Sequence, residues 1–314
     1  MDTPDNRSIK IIFNPATRGG KAKKKLPKIE KLLKEIDIDY QLFETTAPLD
    51  AISMAEDAKK EGFNVVCSLG GDGTAHEVGN GAIRAGLTFA SIPIGSGNDF
   101  VGGLGIDGRW QDGVSNLQDG EIKEISIVKA NDRYSINILD AGIGGDIAKA
   151  SEKHLKWITG SKKYSLLTIA LLTRHKPYPV KLTIDGKEEN CNLNLIAAGF
   201  GQTFGSGMNV LPGARFNHDK MSVAIIHDIG KFKFLRLFPK VFSAKHVEET
   251  KYVTMIRASE IIIEPDESHN KVLRGEAEGE LFSEGRIKIT AIPKGMKVLT
   301  PKDWDFNNRS VKIK

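Results

Sequence analysis

The chain has 314 residues, of which 40% are hydrophobic and 27% are charged, so it can form one large or two ordinary domains with a sizeable core. Its net charge of +5 fits an anionic ligand or an anionic membrane face and is too weak to indicate nucleic acid. The chain has only two cysteines, which argues against a disulfide framework. Its N-terminus is polar and it has no apolar run of about 18 residues, which argues against a signal peptide and a membrane span. These features favour a cytoplasmic protein.

The first 120 residues alternate short apolar strands with helical patterns. We predict strands over 9–13, 39–44, 65–69 and 89–94, and helices over 21–35, 47–61 and from 74 onward. The last helix is predicted to start with a capping box, because Thr74 is followed three residues later by Glu77. This alternation indicates a parallel sheet covered on both faces, in which ligands bind at the carboxyl ends of the strands.

Polar, glycine-rich loops follow three of these strands. They contain Asn14, Pro15, Gly19 and Gly20; then Gly70, Gly71, Asp72, Gly73 and Thr74; then Gly95, Ser96, Gly97, Asn98 and Asp99. Glycines let the backbone approach a polyanion, and free N–H groups at a helix start point at it, so we predict a phosphate or nucleotide site.

Asp72 and Glu77 each have two interpretations. An acid beside a phosphate is repulsive unless a cation or a transferable proton lies between them, so Asp72 is predicted to serve Mg²⁺ or phosphoryl transfer. The alternative is a turn residue that binds its own backbone. Glu77 is either part of the nucleotide site or a helix cap only.

The composition changes after about residue 120 to short strands separated by turns, with a helical stretch near residues 150 to 174. The strands are predicted over 122–129, 134–139, 180–184, 193–198, 221–227, 260–264 and 286–291. We therefore predict an α/β domain over residues 1–125, to which the segment 296–314 returns, and a β-rich second domain over residues 126–295.

Two segments combine aromatic and basic residues. Phenylalanines and lysines interleave over residues 231–245, and Trp157 lies among Lys153, Lys156, Lys162 and Lys163. Both could contact an anionic membrane, which would place the protein peripherally at the inner membrane face. The alternative, which we favour, is a helix that packs on the second domain with its charges outward. The oligomeric state stays open, a homodimer included.

Residues 69–81, LGGDGTAHEVGNG, resemble the signature of the diacylglycerol kinase catalytic family, which also includes sphingosine, ceramide and bacterial lipid kinases. Asn14-Pro15 with Gly19-Gly20, and the segments 92–100, 142–146, 199–212 and 278–280, resemble its other motifs. The Gly-Gly-Asp-Gly core alone is shared with NAD kinases and phosphofructokinases, whereas the longer string is more specific to lipid kinases.

The resemblance implies a three-layer α/β nucleotide-binding domain of the NAD kinase/diacylglycerol kinase type and a C-terminal β-sandwich, with the active site in a cleft between them. It implies ATP contacts at Asn14 to Gly19, at Thr45, at Gly71 to Glu77 and at Ser96, and it implies that Glu280 is the base acting on the lipid hydroxyl. Phosphoryl transfer depends on positioning and charge neutralisation, so Asp72 and Asp219 are the Mg²⁺ candidates, with Asp146 as a supporting acid. The alternatives are a turn residue for Asp219 and a helix cap for Asp146.

Three positions depart from the family pattern. Glu278 stands where the family usually has Asp. In the segment 212–221, either His218 or Asp219 aligns with the metal-linked acid of the family, depending on a shift of one residue. The Arg that often follows Asn-Asp-Phe in the family is absent. In a strand, Glu278 and Glu280 would share one face and raise each other's pKa, which suits a base. The alternative is a solvated edge strand, because Glu276 and Glu284 show that the region is acidic.

Together these features predict an ATP- and Mg²⁺-dependent kinase that phosphorylates a lipid alcohol, most simply diacylglycerol to phosphatidic acid. Two other functions stay open. One is a soluble-substrate kinase of the NAD kinase type, and the other is a nucleotide-binding regulator without turnover.

Overall fold

The computed structural model describes residues 7–106, 108–154, 161–268, 271–302 and 304–306. These residues form two compact units, one of residues 7–126 and 294–306 and the other of residues 127–293. Each boundary falls within a strand, β5 (Glu121–Ala130) or β17 (Ile287–Thr300).

A parallel sheet forms the centre of the first unit. Its strands are β1 (Ser8–Phe13), β2 (Asp39–Glu44), β3 (Val65–Gly70) and β4 (Thr88–Pro93). They lie in the order β4-β3-β1-β2, and the end of β17 adds to β4 in parallel, with Val298 opposite Phe89. The four strands predicted here are confirmed, with their ends shifted by at most one residue. Strands β3 and β4 are buried along their whole length, as the sheet of an α/β layer structure requires.

Helices cover this sheet. They are α1 (Leu26–Glu35), α2 (Asp50–Asp57), α3 (Asp72–Ala85), α4 (Asp99–Gly103) and α5 (Trp110–Asp119). The helix predicted over 21–35 starts instead as a 3₁₀ turn, Lys21–Lys25, because Pro27 has no N–H and is accommodated in the first turn of α1. Ile29 and Leu33 of α1 pack on Ile9, Ile11 and other apolar residues of the sheet.

The second unit is built mainly from antiparallel strands. They are β6 (Arg133–Ser135), β7 (Ile138–Gly142), β8 (Tyr178–Ile184), β9 (Lys187–Gly199), β10 (Thr203–Phe204), β11 (Met208–Asn209), β12 (Met221–His227), β13 (Val253–Ala258), β14 (Glu260–Pro265), β15 (Arg274–Ala277) and β16 (Glu280–Glu284). The order β16-β15-β7-β9-β8-β14 runs across it, and β12 lies between β9 and β13. The predicted strand 286–291 and the start of the returning segment 296–314 are one strand, β17, and 134–139 is divided between β6 and β7.

The described part of the second unit includes the α-helices α6 (Ile143–His154), α7 (Ser161–Arg174) and α8 (Lys231–Val241). Phe234, Leu237 and Val241 of α8 are buried, so this helix packs on its unit, while Phe232 is 74% exposed. Lys156 and Trp157 lie outside the described residues, as do the side chains of Lys153, Lys162 and Lys163. Within the part of the chain that is described, no helix is long and apolar enough to cross a membrane.

Candidate active-site residues

The loop after β3 leads directly into the N-terminus of α3. The helix starts at Asp72, Gly71 is the N-cap residue, and no side chain among the described residues caps it. The predicted capping box is therefore wrong. Thr74 lies inside the first turn, where it is buried and its hydroxyl oxygen accepts a hydrogen bond from Asn14 Nδ2 at 3.1 Å. The first backbone N–H groups of α3 remain available for an anion.

Two glycines bring the second and third loops into backbone contact. The N–H groups of Ile94 and Gly95 donate to Gly70 O at 2.8 and 3.1 Å. A Cβ on Gly95 would lie 2.5 Å from Gly71 Cα, so only glycine fits there. A Cβ on Gly73, in contrast, would have no heavy atom within 4 Å, so the first turn of α3 faces open space at this residue.

Asp72 fastens the third loop to α3. Its Oδ2 accepts the Asn98 N–H at 2.7 Å and its Oδ1 accepts the Phe100 N–H at 3.4 Å. Burial, followed by the neighbouring Asp99 carboxylate, raises the pKa of Asp72 to about 6, although the backbone N–H donors oppose the rise. Asp72 therefore organises a loop, and its carboxylate also remains a candidate ligand for Mg²⁺.

The first loop continues the same edge of the sheet. Asn14 N donates to Leu69 O at 3.1 Å, and Asn14 Oδ1 accepts the Ala16 N–H at 3.0 Å. After Pro15, the residues Arg18, Gly19 and Gly20 have φ values of 54°, 64° and 83°, which lead into the lysine-rich 3₁₀ turn. The Thr45 N–H donates to Phe13 O at 2.9 Å, so the loop after β2 joins the same edge.

Asp50 organises the Thr45 loop, and the sequence analysis missed it. Its Oδ2 accepts the N–H groups of Thr46 and Ala47 at 2.8 and 2.6 Å and the Thr46 hydroxyl at 2.7 Å. The Thr46 hydroxyl, followed by these backbone donors, lowers the pKa of Asp50. The signal was an Asp in the first turn of the helix predicted over 47–61, where acids favour helix starts.

The third loop supplies the remaining predicted residues of this edge. Ser96 is exposed, while Asn98 is buried with a left-handed φ of 58°, and its Oδ1 has no hydrogen-bond partner among the described residues. Asp99 begins α4, and Glu77 lies half-buried on α3. The loops after β1 to β4 thus present backbone N–H groups and polar side chains at the carboxyl edge of one parallel sheet.

The late acidic motif forms a turn, so the prediction of a strand with both acids on one face is wrong. Glu278 and Gly279 are the two residues between β15 and β16, with φ values of +52° and +84°, as in a type I′ hairpin. Asn137 Nδ2 donates to Glu278 Oε1 at 3.2 Å. Glu280 Oε2 lies 3.5 Å from Arg133 Nη1, and burial raises the pKa of Glu280 while Arg133 opposes the rise.

A buried pair of acids lies beside this hairpin. Asp140 on β7 and Glu276 on β15 are register partners, so their side chains share one face, and they are 1% and 3% exposed. Burial raises the pKa of both, and the Glu276 charge raises that of Asp140 further. Glu276 Oε2 accepts the Gly279 N–H at 2.6 Å and so supports the turn. Glu276, interpreted from sequence as a sign of an acidic surface, is in fact a core residue.

The remaining predicted acids of the second unit differ in environment. The Asp146 carboxylate accepts a hydrogen bond from Tyr178 Oη at 2.7 Å and pairs with Arg274 Nη1 at 3.3 Å, so its charge is already compensated. Asp219 is exposed in the turn before β12. Among the described residues, no three or more His, Cys, Asp or Glu side chains cluster as a metal site. Mg²⁺ commonly takes one or two carboxylates together with water and phosphate oxygens, so Asp72 and Asp219 stay predicted ligands.

An apolar pocket lies within the second unit. Its cavity volume is about 70 Å³, well below the roughly 300–1,000 Å³ usual for a small-molecule site. Residues of α6, α7, α8, β9 and β12 line it, among them Ile147, Leu172, Ala224, Phe234 and Val241. Of the described residues in its lining, Asp140 alone is acidic. The pocket therefore suits a mainly hydrocarbon ligand.

The two parts of the chain match two family models. Residues 8–130 match the diacylglycerol kinase catalytic domain, and residues 137–300 match the YegS C-terminal NAD kinase beta sandwich-like domain. The chain belongs to the bacterial diacylglycerol kinase and YegS-like lipid kinase family. Its fold is accordingly a mixed α/β N-terminal domain with a parallel sheet, followed by a β-sandwich-like domain, as predicted.

Relatives with known names support this membership. A diacylglycerol kinase of Bacillus subtilis (strain 168) is 26% identical over 281 residues, which are 88% of this chain and 92% of that protein. One of Mycobacterium tuberculosis (strain H37Rv) is 25% identical over 301 residues, 94% and 95% of the two chains. A Chromohalobacter salexigens protein named as a probable YegS-like lipid kinase is 28% identical over 181 residues, which cover 56% of this chain and 58% of that protein.

Solved structures show the same fold. A crystal structure from Bacillus anthracis str. Sterne, described as a diacylglycerol kinase, has a TM-score of 0.70 at 18% identity and covers 94% of this chain and 97% of its own. A second structure from that organism has a TM-score of 0.77 at 20% identity, with 94% and 96% covered. At this identity the likeness concerns the fold alone.

The catalytic domain of the family uses ATP, and the loops of the first unit fit a triphosphate. The first turn of α3 is uncapped by the described side chains, Gly71 and Gly95 leave only backbone at the loop contact, and Gly73 faces open space. A polyanion could approach this backbone without meeting a side chain.

Proposed function

We propose that this kinase transfers the γ-phosphate of ATP to the hydroxyl group of a lipid alcohol, most simply converting diacylglycerol to phosphatidic acid. The observation that carries the proposal is the apolar pocket of the second unit. A lipid acceptor has hydrocarbon to bury there, whereas NAD, the acceptor of a soluble-substrate kinase, is polar and charged throughout. Burial of each methylene group contributes about 0.8 kcal/mol, so even the few methylene groups that fit a cavity of about 70 Å³ would favour a lipid over NAD.

The proposed roles follow from the environments of the residues. Backbone N–H groups at the start of α3, together with the loops after β1, β2 and β4, hold the triphosphate. Mg²⁺ would neutralise the charge of the phosphates; Asp72 is its proposed oxygen ligand in the first unit, and Asp219 is a separate candidate in the second.

Glu280 is the proposed base, because a raised pKa makes its carboxylate a better proton acceptor for the lipid hydroxyl. Its partner Arg133 lies on the same unit at 3.5 Å and opposes the rise in the pKa of Glu280. Glu278 is held by Asn137, so we assign it to positioning of the hairpin on which Glu280 lies.

A lipid substrate also requires access to a membrane, and we propose a peripheral contact through α8. Phe232 is 74% exposed and Phe242 is 40% exposed, and Lys231 lies over the Phe232 ring at 5.3 Å from its centroid. Exposed aromatic rings among lysines suit the interface of an anionic bilayer.

The decisive experiment offers labelled ATP to the purified protein together with diacylglycerol, ceramide, a sphingoid base or NAD. We expect labelled phosphatidic acid. Labelled NADP without labelled lipid would support the soluble-substrate kinase instead, and ATP binding without transfer to any acceptor would support the regulator.

A pair of matched variants tests the pocket. Val241 lines it, whereas Val272 is 44% exposed elsewhere on the same unit. Val241→Phe should strongly reduce phosphorylation of long-chain diacylglycerol and leave ATP binding intact, while Val272→Phe should change neither. Equal activity of the two variants, both folded by circular dichroism, would contradict the pocket assignment.

A further inference from the structure

The second unit also contains a basic pocket, which lies between α8 and Tyr252, the residue before β13. Its volume is about 280 Å³, close to the lower end of the roughly 300–1,000 Å³ usual for small-molecule sites. Three cations of α8 line it at spacings of three and four residues: Lys233, Arg236 and Lys240. Side chains at these spacings share one face of a helix, so the three charges surround the same small space.

The charge of this basic pocket is only partly compensated. Glu249 is the one acidic side chain in its described lining, and it pairs with Lys240. Within the described chain, Arg236 has no hydrogen-bond or ion-pair partner, and Lys233 has no acidic partner. Like charges at neighbouring positions of one helix face repel each other, and a bound anion relieves that repulsion.

Tyr252 adds a neutral hydrogen-bond donor to the cations. Lys233 Nζ donates to Tyr252 Oη at 2.7 Å. An ammonium group has only donors, so the phenol oxygen accepts this bond and keeps its own hydrogen available for a ligand. The bond from Lys233 also lowers the pKa of Tyr252, which makes its hydroxyl group a stronger donor.

The kind of anion follows from the donors and from the wall behind them. The Arg236 fork can bind two oxygens at once, and Lys233 and Tyr252 need further acceptors, so an anion with more oxygens than a carboxylate fits best. Phosphate has this geometry. Ile229 and Leu237 form an apolar wall and are 5% and 3% exposed, and such a wall strengthens the attraction between a bound anion and the cations.

We propose that the basic pocket of α8 and Tyr252 binds one phosphate group, carried by a phospholipid headgroup or by a free phosphate ester. Its volume admits a phosphate with a short polyol and is small for a nucleotide. This inference goes beyond the proposed kinase activity and does not depend on it.

The test measures binding by isothermal titration calorimetry with saturating ADP present, so that the nucleotide loops are occupied. The probes are inorganic phosphate, glycerol 3-phosphate, and dihexanoyl phosphatidic acid below its critical micelle concentration. Binding of the lipid probe alone would assign the pocket to a headgroup, whereas binding of glycerol 3-phosphate with equal affinity would assign it to a free ester. Either result supports the site, and no binding of any probe would overturn it.

Matched variants separate a built site from a general effect of charge. Arg236→Gln should weaken binding of the tightest probe by roughly 10- to 150-fold, which corresponds to the loss of one hydrogen bond to a charged group. Arg257→Gln makes the same change at an exposed residue of the same unit that does not line the pocket, and it should leave binding unchanged. Tyr252→Phe should also weaken binding, because it removes a donor. Thermal melting confirms that each variant is folded.

Chemical labelling locates the ligand directly. The tightest probe should protect Arg236 from phenylglyoxal, read by mass spectrometry, and leave Arg257 labelled. Equal weakening in Arg236→Gln and Arg257→Gln, or equal labelling of Arg236 with and without the probe, would overturn the proposal. Binding that depends on Arg236 in a protein that phosphorylates no lipid would refute the kinase proposal and leave the phosphate site standing.

Discussion

Replacing two glycines of the nucleotide loops by alanine should separate folding from ATP binding. Gly95→Ala forces its Cβ to 2.5 Å from Gly71 Cα and 2.7 Å from Asn98 Oδ1, so backbone has to move. Gly73→Ala instead adds its methyl group to open space, with no heavy atom within 4 Å. The first change should harm the fold and the second only the ligand.

The expected magnitudes follow from these contacts. Overpacking costs about 1–3 kcal/mol, and each kcal/mol lowers the Tm of a domain of this size by about 2–4 °C, so Gly95→Ala should lower Tm by about 2–12 °C. Alanine favours a helix over glycine by up to about 1 kcal/mol, so Gly73→Ala should keep or slightly raise Tm. Its methyl group would hold the phosphates away from the N–H groups of α3, and loss of one hydrogen bond to a charged group weakens binding by roughly 10- to 150-fold.

Thermal unfolding and an ATP titration measure the two effects. Gly230→Ala is the matched control, because this glycine has an ordinary φ of −73° and a Cβ there would also meet nothing within 4 Å. ATP affinity unchanged in Gly73→Ala would refute the placement of the triphosphate at α3. Unchanged stability of Gly95→Ala would refute the argument from the close approach of the loops.

Three further predictions concern other residues. Asp72 has a pKa of about 6 in the folded chain and an ordinary value of 3.8, so its contribution to stability is complete below pH 3.8 and is lost as the pH rises through 6, by at most about 3 kcal/mol. Asp72→Asn should flatten the stability profile between these pH values in urea unfolding, and an unchanged slope would contradict the buried environment of this acid. Asp50→Ala should weaken ATP binding a few-fold with little change in Tm, because it removes the hydrogen bonds that hold the Thr45 loop. If the variant binds ATP as tightly as the unaltered protein, this loop does not contact the nucleotide. Phe232→Ser should reduce the fraction of protein that sediments with anionic vesicles. Leu49→Ser removes a side chain of the first unit that is 43% exposed, and it should not reduce that fraction. An equal reduction in the two variants would argue against a specific contact through α8.

The strands of the first unit were predictable because each is a short apolar run followed by glycine or polar residues. The first residue of α3 was harder to predict. The spacing of Thr74 and Glu77 imitates a capping box, but Gly71 can serve as N-cap without a side chain, and the helix begins at Asp72. The difference matters for function, because a capped N-terminus would offer fewer N–H groups to a phosphate.

The environments of the acids in the second unit could not be predicted from the sequence pattern. Glu278 has a positive φ, which Asn, Asp and Gly adopt more readily than Glu. A Glu-Gly pair therefore does not predict the two-residue turn that the structure forms here. Asp140 and Glu276 are distant in the chain and become neighbours only through the pairing of β7 with β15. No local pattern could have shown that Glu276 is buried, since the nearby acids Glu278 and Glu280 are only half-buried and Glu284 is exposed.

The place of β17 in the first unit has a consequence for synthesis of the chain. Val298 pairs with Phe89, so the outer side of β4 stays an open edge until residue 298 has left the ribosome. An unpaired edge of a strand that is buried in the folded chain is a site for association with other chains. Truncation before residue 298 should therefore yield aggregates during expression rather than a shorter functional nucleotide domain.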